Sequence, residues 1–173
     1  LFPYTTLFRS GYLPVNIFVG VGSDDVLSIA FLTFFNGRRP VLFADITYSF
    51  YPVWCDIYGI DYKTIPLKED FVLDTDDYNM PCGGIVIANP NAPTGMAADL
   101  SKLEELIKNH PDAAVIIDEA YVDFGGESAM PLVARYDNLL VVRTFSKSAS
   151  LAGARLGYAV GNEELISYME RVK

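Results

Sequence analysis

Long apolar runs are missing from this chain. Nowhere in its 173 residues do apolar positions continue for the roughly 20 that a membrane-spanning helix requires. No apolar signal-peptide core follows Arg9 either, so a cytoplasmic protein is expected. Cysteine is scarce: Cys55 and Cys82 are the only two, with neither metal-site nor disulfide-framework spacing. They are expected as reduced thiols, and no metal is expected. Positive charge is scarce as well. Thirteen Lys and Arg against 22 Asp and Glu leave a net charge of −9, with no basic cluster. Phosphate backbones demand Lys and Arg, which excludes nucleic acid as a partner. Any anionic ligand must be held by a local site against the overall field. What remains is rich in core material: 51% of residues are hydrophobic and 20% charged, as in a globular domain.

Both ends carry expectations of their own. Residues 1–10, LFPYTTLFRS, have no clear period and do not lead into the residues after Ser10. They are similar to a translated sequencing adapter and are expected to be a non-native segment outside the fold. The chain stops at Lys173 inside a helical pattern. Residues 11–173 are therefore expected to be part of a longer domain.

Apolar runs alternate with helical patterns along the chain. Strands are expected at Asn16–Val21, Pro40–Ala44, Asp61–Ile65, Gly84–Ala88, Ala113–Ile117, Leu139–Arg143 and Tyr158–Val160. Helices are expected at Asp24–Phe35, capped by Ser23 or Asp24, and at Tyr48–Ile57, Leu100–Asn109 and Glu163–Val172. Pro52 falls in the first turns of the second. This alternation predicts an α/β fold: a mainly parallel sheet covered by helices on both faces, a three-layer αβα sandwich. Ligands in such sheets bind beyond the carboxyl ends of the strands. Three informative turns fall at that edge: Asn89–Gly95, Asp118–Tyr121 and Thr144–Lys147.

Each candidate residue also has an ordinary structural reading. Asp118 ends a buried strand, where a carboxylate is costly without a cationic or hydrogen-bonding partner; it reads as a helix cap or as the counter-charge of a buried cation. Lys147 lies in a loop of small residues and reads as an inert surface amine or a nucleophile toward carbonyls. Arg155 suits a surface ion pair or a phosphate clamp. Gly22-Ser23 precedes a helix whose first N–H groups can bind phosphate, although Asp24 and Asp25 would repel it unless turned away. Tyr48 suits core packing or the cover of a planar ligand. Their order along one sheet edge favours the functional set. Pyridoxal phosphate needs a lysine for its aldehyde, a carboxylate for its ring nitrogen, donors for its phenolic oxygen and a phosphate site.

The stretches NIFVGVGSDD (16–25), ITYSFY (46–51), NPNAPTG (89–95), IIDEAYVDF (116–124) and RTFSKSASLAGARLGYAVGN (143–162) carry a resemblance from Asn16 to the end. The chain resembles fold-type I pyridoxal-phosphate-dependent aminotransferases, most closely the histidinol-phosphate group among them. The resemblance implies the large, cofactor-binding domain of that fold, with pyridoxal 5'-phosphate as cofactor. Lys147 would bond the aldehyde, Asp118 would pair with the ring nitrogen and Tyr121 would hydrogen-bond the phenolic oxygen; these three are the implied catalytic residues. Tyr48 would stack on the ring. Ser23, the Asp24 backbone, Ser146 and Arg155 would surround the phosphate, with Thr144 supporting that loop. Many relatives place an Asn just before Pro-Thr-Gly; here that position is Ala92, and Asn91 one place earlier is kept as a candidate.

The implied reaction is transamination of histidinol phosphate with 2-oxoglutarate, a step of histidine biosynthesis. A small-molecule amino donor and a 2-oxo acid are the implied partners, with a homodimer as the full-length assembly. Threonine-phosphate decarboxylase, aromatic-amino-acid aminotransferase, an effector-binding domain of a transcription regulator and an inactive fragment stand as alternatives.

Overall fold

A computed structural model describes residues 11–173. The expectation of a non-native segment at 1–10 lies outside the described residues. Seven strands form one sheet: β1 (Ile17–Gly20), β2 (Val41–Ala44), β3 (Tyr62–Ile65), β4 (Gly84–Ala88), β5 (Ala114–Asp118), β6 (Leu139–Thr144) and β7 (Gly157–Gly161). Their order is β1-β7-β6-β5-β4-β2-β3. The run from β3 through β2, β4 and β5 to β6 is parallel. β7 is antiparallel to both β6 and β1. The sheet is thus mixed, with its parallel part in the centre, as the run of buried β-branched residues in β4, β5 and β6 requires.

Alternation along the strands builds two cores. Val86, Ala88, Ile116, Leu140, Val142 and Ala159 face a cluster from α1 (Ser23–Phe34), α2 (Phe50–Tyr58) and α4 (Glu163–Val172), including Phe31, Tyr51, Trp54 and Met169. Ile85, Ile87, Val115, Ile117, Leu139 and Val141 face the other way, against Leu103, Leu106 and Ile107 of α3 (Leu100–Asn109). Fully burying each Val, Leu, Ile, Phe or Met among them contributes about 1.5–3 kcal/mol. Helices therefore cover both faces, the three-layer αβα arrangement that the sequence predicts. Cys55 and Cys82 are both free thiols and buried. Among the described residues, no helix is long and apolar enough to cross a membrane.

The helix ends follow local chemistry. Asp99 caps α3 by accepting the Ser101 N–H at 2.7 Å, and Asn162 caps α4 by accepting the Glu164 N–H at 2.6 Å. Pro52 stands in the first turn of α2, where its missing N–H costs nothing, and Gly59 ends that helix at φ 67°.

α1 departs from expectation. Neither Ser23 nor Asp24 caps it; the N-cap is Gly22, at φ 91° and without a side-chain cap. Asp25 instead reaches back to the Val21 N–H at 2.8 Å. A Cβ on Gly22 would lie 2.7 Å from the Arg155 guanidinium, so glycine suits both the backbone conformation and the close approach.

Candidate active site

The carboxyl ends of β4, β5 and β6 meet the start of α1 around a pocket of about 210 Å³. Ser23, Asp24, Tyr48, Asp118, Tyr121, Ser146, Lys147 and Arg155 all line it. Ala88, Pro90, Ala92, Ala120, Leu27 and Ala152 complete its wall. The parallel strands deliver Asp118 and the Lys147 loop to the same edge, because β5 and β6 are neighbours in register. Residues far apart in sequence thus converge on one cavity.

Asp118 is the most constrained of them. It is 5% exposed, yet among the described residues it has no ion-pair partner. One carboxylate oxygen accepts the Tyr51 hydroxyl at 2.8 Å, and the other accepts the Ala120 N–H at 3.1 Å. Burial pushes its carboxyl up to about 6; the bonds from Tyr51 and Ala120 pull down, and Asp24 and Glu119 push up further. A cation opposite this group would reverse that penalty.

Tyr51 is a residue that sequence reasoning missed. It is fully buried and packs on Phe31, Phe43, Tyr48 and Trp54. Burial and the facing Asp118 hold its hydroxyl protonated well above the ordinary range, so it serves Asp118 as a donor. Its only signal in the sequence is a position three residues after Tyr48.

Lys147 lies beyond β6, exposed, with Nζ 5.1 Å from the centroid of the Tyr121 ring. This is a cation–π contact. Tyr48 is half-buried and donates its hydroxyl to Asp24 Oδ1 at 2.9 Å. Asp24 and Asp25 are thereby both engaged, the first by Tyr48 and the second by the Val21 N–H.

The start of α1 forms the far wall. Arg155, in the left-handed region at φ 48°, donates to the Val21 carbonyl at 3.3 Å and lies against Gly22. Gly157 packs directly on the helix start: a Cβ there would lie 2.3 Å from Gly22 C and Ser23 N. Ser23, Ser146 and Arg155 thus flank an α-helix start with no side-chain cap. Such a start offers N–H groups and a positive dipole end to an anion.

Two sequence candidates do not line the pocket. Thr144 ends β6, and its hydroxyl accepts the Ser146 N–H at 3.1 Å. Asn91 spends its amide on the Ile46 carbonyl (2.9 Å) and the Thr94 hydroxyl (3.1 Å), and accepts the Thr47 hydroxyl at 2.8 Å. It ties its turn to the loop that carries Tyr48, while Ala92 forms the pocket wall.

The donor set suits pyridoxal phosphate. A buried carboxylate without a cation matches a protonated ring nitrogen. A primary amine matches an aldehyde, and a helix start with hydroxyls and a guanidinium matches a phosphate.

Comparison with known proteins agrees with this chemistry. The pattern of the family described as "Aminotransferase class I and II" matches residues 9–173. The histidinol-phosphate aminotransferase of Lactococcus lactis subsp. cremoris (strain SK11) is 59% identical over 158 residues, covering 91% of this chain and 44% of the relative. Histidinol-phosphate aminotransferase 2 of Gluconobacter oxydans (strain 621H) is 55% identical over 169 residues, covering 98% and 48%. The chain thus spans about half the length of the curated relatives it matches. The crystal structure of the histidinol-phosphate aminotransferase from Clostridium acetobutylicum superposes with a TM-score of 0.84 at 23% identity, over 91% of this chain and 49% of that one. That likeness shows the fold.

Proposed function

The chain belongs to the class I and II aminotransferases, and on that premise we propose that it is the cofactor-binding part of a histidinol-phosphate aminotransferase. The amino acceptor in this reading is 2-oxoglutarate, and the full-length protein is a homodimer. The names of the relatives at 59% and 55% identity support the amino donor. The observation that carries the site reading is Asp118: a buried carboxylate with no cation, facing the same pocket as Lys147.

Roles follow from chemistry. When bound, pyridoxal phosphate supplies an electron sink for the negative charge left as the substrate loses its α-proton. Asp118 holds a proton at the ring nitrogen by charge, and Tyr51 and the Ala120 N–H keep its carboxylate oriented. Lys147 Nζ would hold the cofactor through its aldehyde and, once the substrate amine has taken its place, would move the α-proton as general base and then general acid. The Tyr121 hydroxyl would donate to the phenolic oxygen. The Tyr48 ring would cover the cofactor, its hydroxyl being fixed by Asp24. Arg155, Ser23, Ser146 and the N–H groups of α1 take the phosphate, and Thr144 braces Ser146. Asn91 acts one step away, by holding the turn that carries Ala92.

The test is Lys147→Ala in the full-length protein. Turnover of histidinol phosphate should vanish, together with the visible absorbance that borohydride bleaches in the parent. Retained transamination would refute the lysine. Preference for phenylalanine or threonine phosphate over histidinol phosphate would refute the donor while leaving the lysine intact.

A further inference from the structure

On the sheet face opposite Asp118 lies a charge pair, its carboxylate buried and its guanidinium partly exposed, that the proposed chemistry does not use. Glu119 follows Asp118 directly, and its side chain is fully buried. Arg143 comes from β6, four residues before Lys147. Its Nε donates to Glu119 Oε2 at 2.8 Å, and its Nη2 donates to the Ser128 hydroxyl at 2.9 Å. Ser128 donates in turn to Glu119 Oε2 at 2.9 Å, and the Ala129 N–H donates to Glu119 Oε1 at 2.5 Å. The Met130 N–H closes the cluster on the Ser128 hydroxyl at 3.0 Å. Arg143 also interacts with the Tyr158 side chain of β7. Beneath this cluster the Glu119 N–H donates to the Val142 carbonyl at 2.8 Å, joining the two strand ends.

Stability alone is a weak reason for such an arrangement. An ion pair whose carboxylate is buried gains little net stability over well-packed apolar residues, because desolvation offsets the attraction. Burial pushes the Glu119 carboxyl up, and Arg143 and the Ala129 N–H pull it back. What the pair does supply is direction, because a guanidinium fork has fixed geometry. Its two carriers are the residues from which the site diverges: Asp118 one position before Glu119, and the Thr144–Lys147 turn directly after Arg143. That turn continues the same restraint. The Phe145 ring lies 5.7 Å from that of Tyr158, and its N–H donates to the Leu156 carbonyl at 3.1 Å.

We propose that the Glu119–Arg143–Ser128 cluster is a positioning device that sets the spacing and orientation of Asp118 and Lys147 from the far side of the sheet. These are positioning residues: none of the three lines the pocket. The inference rests on Asp118 and Lys147 being the groups that hold the cofactor. A misplacement of about 1 Å between reacting groups costs on the order of 100-fold in rate, which is the scale on which the cluster acts.

The deciding variant is Arg143→Lys in the full-length holoenzyme, since lysine keeps the charge and loses the fork. Two quantities are read beside the melting temperature: kcat with KM, and the induced circular dichroism of the cofactor per cofactor bound. The expected result is a kcat lowered about tenfold or more, a smaller change in KM, and a reduced dichroic signal per bound cofactor. A purely structural role lowers the melting temperature and the occupancy but leaves that signal unchanged. An unchanged signal in a folded variant overturns the proposal, whatever its kcat. Should Arg143→Lys fail to fold, Ser128→Ala removes only the shared hydroxyl and is read in the same way: a reduced signal supports the proposal and an unchanged one overturns it. A parent enzyme with no cofactor signal overturns the assignment of Asp118 and Lys147 themselves, and the positioning role with it.

Discussion

At the scale of single residues, the site sets stability against function, and Asp118 is where the two meet. Its carboxyl is pushed from 3.8 to about 6 by burial. The folded protein therefore binds this proton more tightly than the unfolded chain does. The stabilising contribution of this proton is fully present below about 4 and is lost as pH rises through about 6. Above that window the cofactor-free protein carries a penalty on the order of 3 kcal/mol. A protonated ring nitrogen facing the carboxylate would remove it. Asp118→Asn should therefore raise the melting temperature of the cofactor-free protein at pH 7.5 while weakening cofactor binding. At pH 4 the stabilisation should shrink toward zero. Thermal melts at both pH values, with and without cofactor, check this. Equal melting temperatures for parent and variant at pH 7.5 would mean that Asp118 meets a compensating charge. The carboxylate itself was legible in the sequence, since an acid ending a run of five apolar residues demands a partner. Its donor Tyr51 was not, because a hydrogen bond across 67 positions leaves no local pattern. Asn91 shows the same limit: residue type and position suggested an amide for the cofactor, whereas side-chain direction gives it to Ile46, Thr47 and Thr94.

At the scale of elements, the phosphate end of the pocket depends on how closely β7 approaches the start of α1. Gly157 allows that approach, with a hypothetical Cβ 2.3 Å from the backbone of Gly22 and Ser23. Backbone atoms of a helix start cannot yield as a flexible side chain can. Gly157→Ala should cost about 1–3 kcal/mol in overpacking, and it should displace the N–H groups that take the phosphate. Cofactor affinity should fall more than that of a control variant, Gly153→Ala, whose Cβ meets nothing within 4 Å. Absorbance titration with pyridoxal phosphate compares the two, and equal affinities would remove the helix start from the phosphate site. Period and composition revealed most elements to within one or two residues. The expected Glu163–Val172 helix and Gly84–Ala88 strand match their observed bounds. The cap of α1 escaped the same reading. Ser23 and Asp24 have the right chemistry for a cap, but the approach of Arg155 and β7, more than 130 residues away, selects Gly22 and leaves the helix start free for an anion.

At the scale of the whole chain, an anionic cofactor must approach these 173 residues against their net charge of −9. The positive groups that receive it are few and local: Arg155, Lys147 and the start of α1. Long-range repulsion and short-range attraction respond differently to salt. Between about 0.01 M and 0.15 M ionic strength the Debye length falls from roughly 30 Å to 8 Å. Distant carboxylates are then screened, while the contacts inside the pocket are screened much less. Association of pyridoxal phosphate should therefore speed up by a factor of about 2–10 over this range, with a smaller change in dissociation. Stopped-flow absorbance at increasing potassium chloride measures both rates. A rate that falls with salt would show that the local positive end dominates even at long range. That outcome would turn the balance around: the acidic surface would then bear on solubility, and the field at the pocket mouth would be set by Arg155, Lys147 and the helix start alone.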